Sequence, residues 1–95
     1  MAAYLIAHVE VTDPRTYEEY RQKVPAVIAA HGGRFLVRGG TVHRLEGEIN
    51  LQRVVVIEFP GMTQLRAFYD SPEYRPLIVL RQRASRGSLF AIEGV

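Results

Sequence analysis

Cysteine is absent from this chain of 95 residues, which excludes disulfides, thiolate catalysis and zinc-ribbon sites. Lysine is nearly absent too, with Lys23 the sole example. The remaining basic residues are arginines scattered along the chain, and the net charge of +2 is too small to mark a nucleic-acid-binding surface. No apolar run approaches the ~20 residues of a membrane-spanning helix. Met1-Ala2-Ala3-Tyr4 has no basic stretch ahead of an apolar segment, so no secretory signal is read there and a cytoplasmic location is expected. Nucleophile motifs of the Gly-x-Ser-x-Gly kind, phosphate-cradling glycine loops followed by Lys, and paired histidines at metal-ligand spacing are all missing. His8, His31 and His43 lie far apart in sequence, and neither a metal nor a cofactor is implied.

What is present is an ordinary globular composition, 47% hydrophobic and 23% charged. One domain over residues 1–95 is expected. A domain of that size buries roughly 60–65% of its unfolded surface, so oligomerisation would add usefully to a thin core.

The local patterns are well marked. Leu5, Ala7, Val9 and Val11 alternate with Tyr4, Ile6, His8 and Glu10, which predicts a strand with one apolar and one mixed face. Asp13-Pro14 opens a helix, an acceptor for first-turn amides followed by a residue that loses no needed donor. Tyr17, Tyr20, Val24, Val27, Ile28 and His31 continue it at helical spacing, Pro25 predicts a kink, and Gly32 a left-handed cap. Arg34 to Leu45 reads as a second strand in which Gly39-Gly40 marks a bulge or a close backbone approach. After a turn at residues 46–50, Leu51 to Phe59 is the most hydrophobic strand and therefore central. Met62 to Asp70 is a short helix, Ser71-Pro72 breaks it and caps a further helix from Glu73 to about Ala84, and Gly87 separates that helix from a last strand, Ser88 to Glu93.

Strand–helix–strand–strand–helix–strand is the order of an α+β, ferredoxin-like β-α-β-β-α-β sandwich with a four-stranded antiparallel sheet. The crossovers are expected to put the first and third strands side by side at the centre as parallel neighbours. Helices then cover one sheet face and leave the other bare.

Several segments resemble one family of small bacterial proteins: Tyr4-Leu5-Ile6, Asp13-Pro14, His31-Gly32-Gly33-Arg34-Phe35, Arg38-Gly39-Gly40, Leu45-Glu46-Gly47, Val54 to Pro60, and Tyr69-Asp70-Ser71-Pro72-Glu73-Tyr74. The family is known only as a domain of unknown function, number thirteen-thirty, and the likeness runs in order over nearly the whole chain. The resemblance implies a dimeric α+β barrel in which two ferredoxin-like sheets pack face to face. It implies no activity. The wider superfamily includes cofactor-free monooxygenases, muconolactone isomerase-like enzymes and haem-degrading enzymes, whose catalytic residues differ from group to group.

Two clusters are candidate sites. By alternation the bare face carries His8 from the first strand, Arg38 from the second and Glu58 from the third. His8, Arg38 and Glu58 read either as a catalytic acid–base and anion-binding row or as a structural Arg38–Glu58 salt bridge setting dimer register. Beneath the helices, Tyr17, Tyr20, Phe68, Tyr69 and Tyr74 read either as a ligand-binding pocket with hydroxyls at its edge or as an aromatic core. Arg81, Arg83 and Arg86 are assigned to the helix dipole. An RNA-binding face is excluded, because the central strands offer His8, Val54, Val56 and Glu58 where stacking aromatics are needed. The expected partners are a second copy of the chain and a small molecule, with no nucleic acid and no membrane. A cofactor-independent enzyme or small-ligand binder and a non-catalytic interaction module both remain open.

Overall fold

A computed structural model describes residues 1–95. Strand β1 (Ala3–Val11) leads into helix α1 (Pro14–Ala30). Strands β2 (Arg34–Arg38) and β3 (Arg53–Phe59) follow, then helices α2 (Met62–Tyr69) and α3 (Arg75–Ala84), and strand β4 (Ser85–Glu93). This is the ferredoxin-like α+β arrangement. The sheet order is β2-β3-β1-β4 and every neighbouring pair is antiparallel. The expectation that β1 and β3 would be parallel neighbours is corrected. Each helical crossover skips one position in the sheet, and the other unit's first strand fills that gap running the opposite way.

The caps explain where α1 starts and stops. The Asp13 carboxylate accepts from the Thr16 amide at 3.3 Å and from its hydroxyl at 2.6 Å, and Pro14 occupies the first turn. Gly32, at φ +78°, supplies the left-handed residue just past the end. Pro25 is accommodated inside an otherwise continuous helix. At the α2–α3 joint, the Ser71 hydroxyl donates to the Phe68 carbonyl at 2.8 Å and accepts from the Tyr74 amide at 3.2 Å. That double use of Ser71 turns the chain, and α3 begins two residues later than expected.

Two further boundaries differ from expectation. The second strand ends at Arg38 rather than Leu45, and residues 39–52 carry no regular structure. Gly87 does not separate helix from strand: β4 starts at Ser85, directly after α3, and Gly87 lies within it. A side chain at Gly87 would run into the His8 carbonyl oxygen and Val9 of β1, so glycine here permits close strand pairing.

The helices all pack on one face of the sheet, giving principal extents of 34 × 34 × 16 Å, a single helix layer on a single sheet. Alternation decides which residues go inside. Leu5, Ala7 and Val9 of β1 meet Val55, Ile57 and Phe59 of β3, and Tyr17, Tyr20, Val24 and Ile28 of α1 close over them. Phe68 stacks between Phe59 and Tyr74, at ring separations of 5.3 and 4.3 Å.

The opposite face has no cover. The strand register lines up Val37, Val56, Ile6 and Phe90 in one row across all four strands. Phe90 is 61% exposed.

Candidate functional site

A cavity of about 30 Å³ lies between the helix face of the sheet and α1 and α3. One buried water needs roughly 10–15 Å³, so this space holds about two. Its wall is mostly apolar and aromatic, with the rings of Tyr17, Tyr20, Phe68 and Tyr74 grouped on one side. The Tyr20 and Tyr74 hydroxyls are 2.8 Å apart, so one donates to the other inside the wall. Burial pushes the Tyr20 phenol well up, and the adjacent Tyr74 pushes the same way, so Tyr20 stays neutral across the physiological range.

Four arginines also line this space: Arg21, Arg38, Arg53 and Arg81. No histidine or carboxylate does. Arg38 donates to the Arg21 carbonyl at 2.6 Å and its guanidinium lies 4.4 Å above the Phe35 ring. Burial lowers its pKa from the ordinary arginine value, and the Arg21 and Arg53 charges lower it further. The Arg53 guanidinium sits 5.6 Å from the Tyr17 ring centre and packs against Gly39. Gly39 has φ +72°, and a side chain there would occupy the guanidinium's place, so the expected close backbone approach is made by Arg53. Arg81 is 8% exposed, among the α3 residues that face the core. Its assignment to the helix dipole is therefore corrected.

A second, wider space of about 330 Å³ forms a groove between α2 and β4. Leu65, Arg66 and Tyr69 form one side, and Leu89, Phe90 and Ala91 the other. Leu5 and Leu89 border both spaces. Of the five aromatic candidates, Tyr17, Tyr20, Phe68 and Tyr74 thus come together around the cavity, while Tyr69 faces the groove.

The other candidate cluster does not assemble. A bulge between Phe35 and Val37 inserts one residue into β2, so Arg34 pairs with Glu58 but Arg38 pairs with Val55. Beyond the bulge the faces exchange, and Arg38 points into the cavity instead of onto the bare face. The Arg38–Glu58 salt bridge is therefore absent. Glu58 accepts from Arg34 Nε at 2.8 Å and from the Tyr4 hydroxyl at 3.2 Å. His8 does lie on the bare face, where its Nε2 accepts from the Gln52 amide at 2.9 Å, so it is not part of an acid–base row with Glu58 and Arg38. No group of three His, Asp or Glu side chains is placed to hold a metal ion.

Arg21 and Arg53 are wall arginines that no motif marks, but the inward places of Arg53 and Arg81 follow from periodicity. Arg53 continues the inward alternation of Val55, Ile57 and Phe59. Arg81 sits four residues after Leu77 and three before Ala84, on the buried stripe of α3.

The sheet order, the single helix layer and the interior cavity define a ferredoxin-like α+β protein. The chain belongs to the family described as Domain of unknown function (DUF1330), whose model matches residues 2–95. Among solved structures it is similar to the RPA0582 protein of unknown function from Rhodopseudomonas palustris, with TM-score 0.80 and 18% identity over 99% of this chain and 82% of that one. A dimeric ferredoxin-like protein of unknown function from Thermobifida fusca matches with TM-score 0.67 and 20% identity, covering 99% and 92%. SnoaB, a cofactor-independent oxygenase from Streptomyces nogalater, matches with TM-score 0.66 and 15% identity, covering 99% and 93%. At these identities the likeness is one of fold. No curated protein matches the chain. No helix is long and apolar enough to cross a membrane.

Proposed function

We propose that the chain is a homodimeric small-molecule binder, joined through its bare sheet face and taking a compact aromatic or apolar ligand at the helix-side cavity of each protomer and the groove that adjoins it. The dimer reading is supported by the Val37–Val56–Ile6–Phe90 row, because a stable monomer rarely leaves so continuous an apolar band in water. A two-fold axis would lay one row against the other. The name of the Thermobifida fusca protein, a dimeric ferredoxin-like protein, agrees with it.

The observation that carries the binding reading is the composition of the cavity wall, aromatic rings and guanidinium groups with no histidine or carboxylate. Such a wall positions a ligand and donates hydrogen bonds to it, but offers no side chain able to take a proton at neutral pH. Cofactor-independent oxygenation, the printed activity of the Streptomyces nogalater protein, would here have to proceed without a general base from the wall. Binding is therefore preferred to catalysis. The small volume favours one competing reading, an interaction module with a filled core.

Thermal unfolding against a metabolite library separates the two. A specific ligand at a hundredfold excess over Kd stabilises the protein by about 2.7 kcal/mol, and no stabilisation by any compound would favour the module. Light scattering should give twice the chain mass of 10.8 kDa at micromolar concentration, and a monomer there would sink the dimer.

A further inference from the structure

The cavity gathers positive charge with no carboxylate in its wall. The ion pairs are Arg21–Glu18, Lys23–Glu19 and Arg34–Glu58. Of the four arginines in the wall, only Arg21 therefore has a carboxylate partner, Glu18. Arg38, Arg53 and Arg81 have none. The Nε atoms of Arg53 and Arg81 are buried without a hydrogen-bond partner, and Arg81 as a whole is more than nine-tenths buried. Buried donors without acceptors destabilise the folded state, and gathering cations in one place adds repulsion. The chain nevertheless holds two of the groups firmly. Arg38 is tied to the Arg21 carbonyl and stacked on Phe35, and Arg53 is seated in the space left by Gly39.

We propose that this cavity is a carboxylate site: the guanidinium groups of Arg38 and Arg53 hold the carboxylate of a compact aromatic or apolar acid, whose body leads out past Leu89 towards the groove beside β4. A planar carboxylate matches the guanidinium fork and satisfies two donors at once. The wall selects among anions, because 13 of its 17 residues are hydrophobic and would leave a bare inorganic ion poorly solvated. The ligand's apolar part has somewhere to extend, since Leu5 and Leu89 border both the cavity and the groove beside β4. This inference rests on the helix-side cavity being the binding site and adds the charge of the ligand.

Benzoate, its neutral counterpart benzamide, and sulfate are the probes, titrated into the full chain while the arginine Nε–H signals are followed by NMR. Benzoate should bind at least tenfold more tightly than benzamide, outperform sulfate at equal ionic strength, and shift the Nε–H signal of Arg53. Arg53→Gln and Arg38→Gln should each weaken benzoate at least fivefold and weaken benzamide by less. The wild-type NMR signals give an answer even where a variant folds poorly. Equal binding of benzoate and benzamide in the cavity would overturn the carboxylate assignment while keeping the cavity as a binding site. Equal response to sulfate would also overturn it, in favour of an unselective anion site. Failure of both organic probes to bind would overturn the assignment and the binding reading together.

Discussion

The two faces of one sheet treat charge in opposite ways. On the bare face the central carboxylate, Glu58, is answered twice, by Arg34 and by Tyr4, and the row beside it is wholly apolar. On the helix face, Arg38, Arg53 and Arg81 surround a small cavity with no carboxylate among them. A neutralised apolar face suits contact with another copy of the chain, where an unpaired ion would be costly. A face with surplus charge in an enclosed space suits a ligand that brings the opposite charge.

The largest difference between the faces should appear in stability. Phe68 is 1% exposed and stacks on both Phe59 and Tyr74. Phe68→Ala should lower the unfolding free energy by about 3–5 kcal/mol in urea denaturation. Phe90→Ala, at the end of the bare row, should show itself chiefly as weaker association on dilution. Similar losses of unfolding free energy for both changes, with association unaltered, would erase the distinction.

An alkaline limb comes next. Tyr20 has its pKa raised in the folded state, above the value of 10 for an unfolded chain. Its contribution is therefore fully present below pH 10 and is lost as pH rises past it, because only the unfolded chain releases the proton. The loss should reach about 1.4 kcal/mol per pH unit above 10, and Tyr20→Phe should remove that part of the slope. Urea midpoints between pH 9 and 11 would show it.

The smallest effect belongs to Glu58→Gln. The Arg34 side chain is 71% exposed and Glu58 is 24% exposed, so the pair is partly solvated. The change should cost about 1 kcal/mol or less in the separated protomer. A loss of several kcal/mol would mean that the pair is buried far more deeply than it lies in one protomer.

Much of this was legible from residue order. The alternation of β1 and β3, the Asp13-Pro14 and Gly32 caps and the helical stripe of α1 led directly to a ferredoxin-like sheet with helices on one side. Tyr17, Tyr20, Phe68 and Tyr74 were drawn to one wall by the same periodicities. Alternation is blind to a bulge: one inserted residue in β2 sends Arg38 and every later side chain to the other face. Val42 and Leu45 continue the apolar pattern of β2, although Leu45 is 92% exposed and pairs with nothing in the sheet. Gly87 looked like punctuation because glycine usually breaks strands, whereas here its bareness lets β4 approach β1. Arg81 lies in the last turn of α3 and also on its buried stripe, and the stripe decides its place.

The central claim is a division of labour, association on the bare face and binding on the helix face. The most direct measurement is the benzoate Kd of Val56→Lys beside that of the wild-type chain, with the mass of each fixed by light scattering. Val56 lies in the middle of the apolar row, and a lysine there should produce a monomer. The expected result is a monomer that binds benzoate within twofold of the wild-type dimer. A monomer that has lost benzoate by more than tenfold, or a wild-type chain that binds none, would contradict the account.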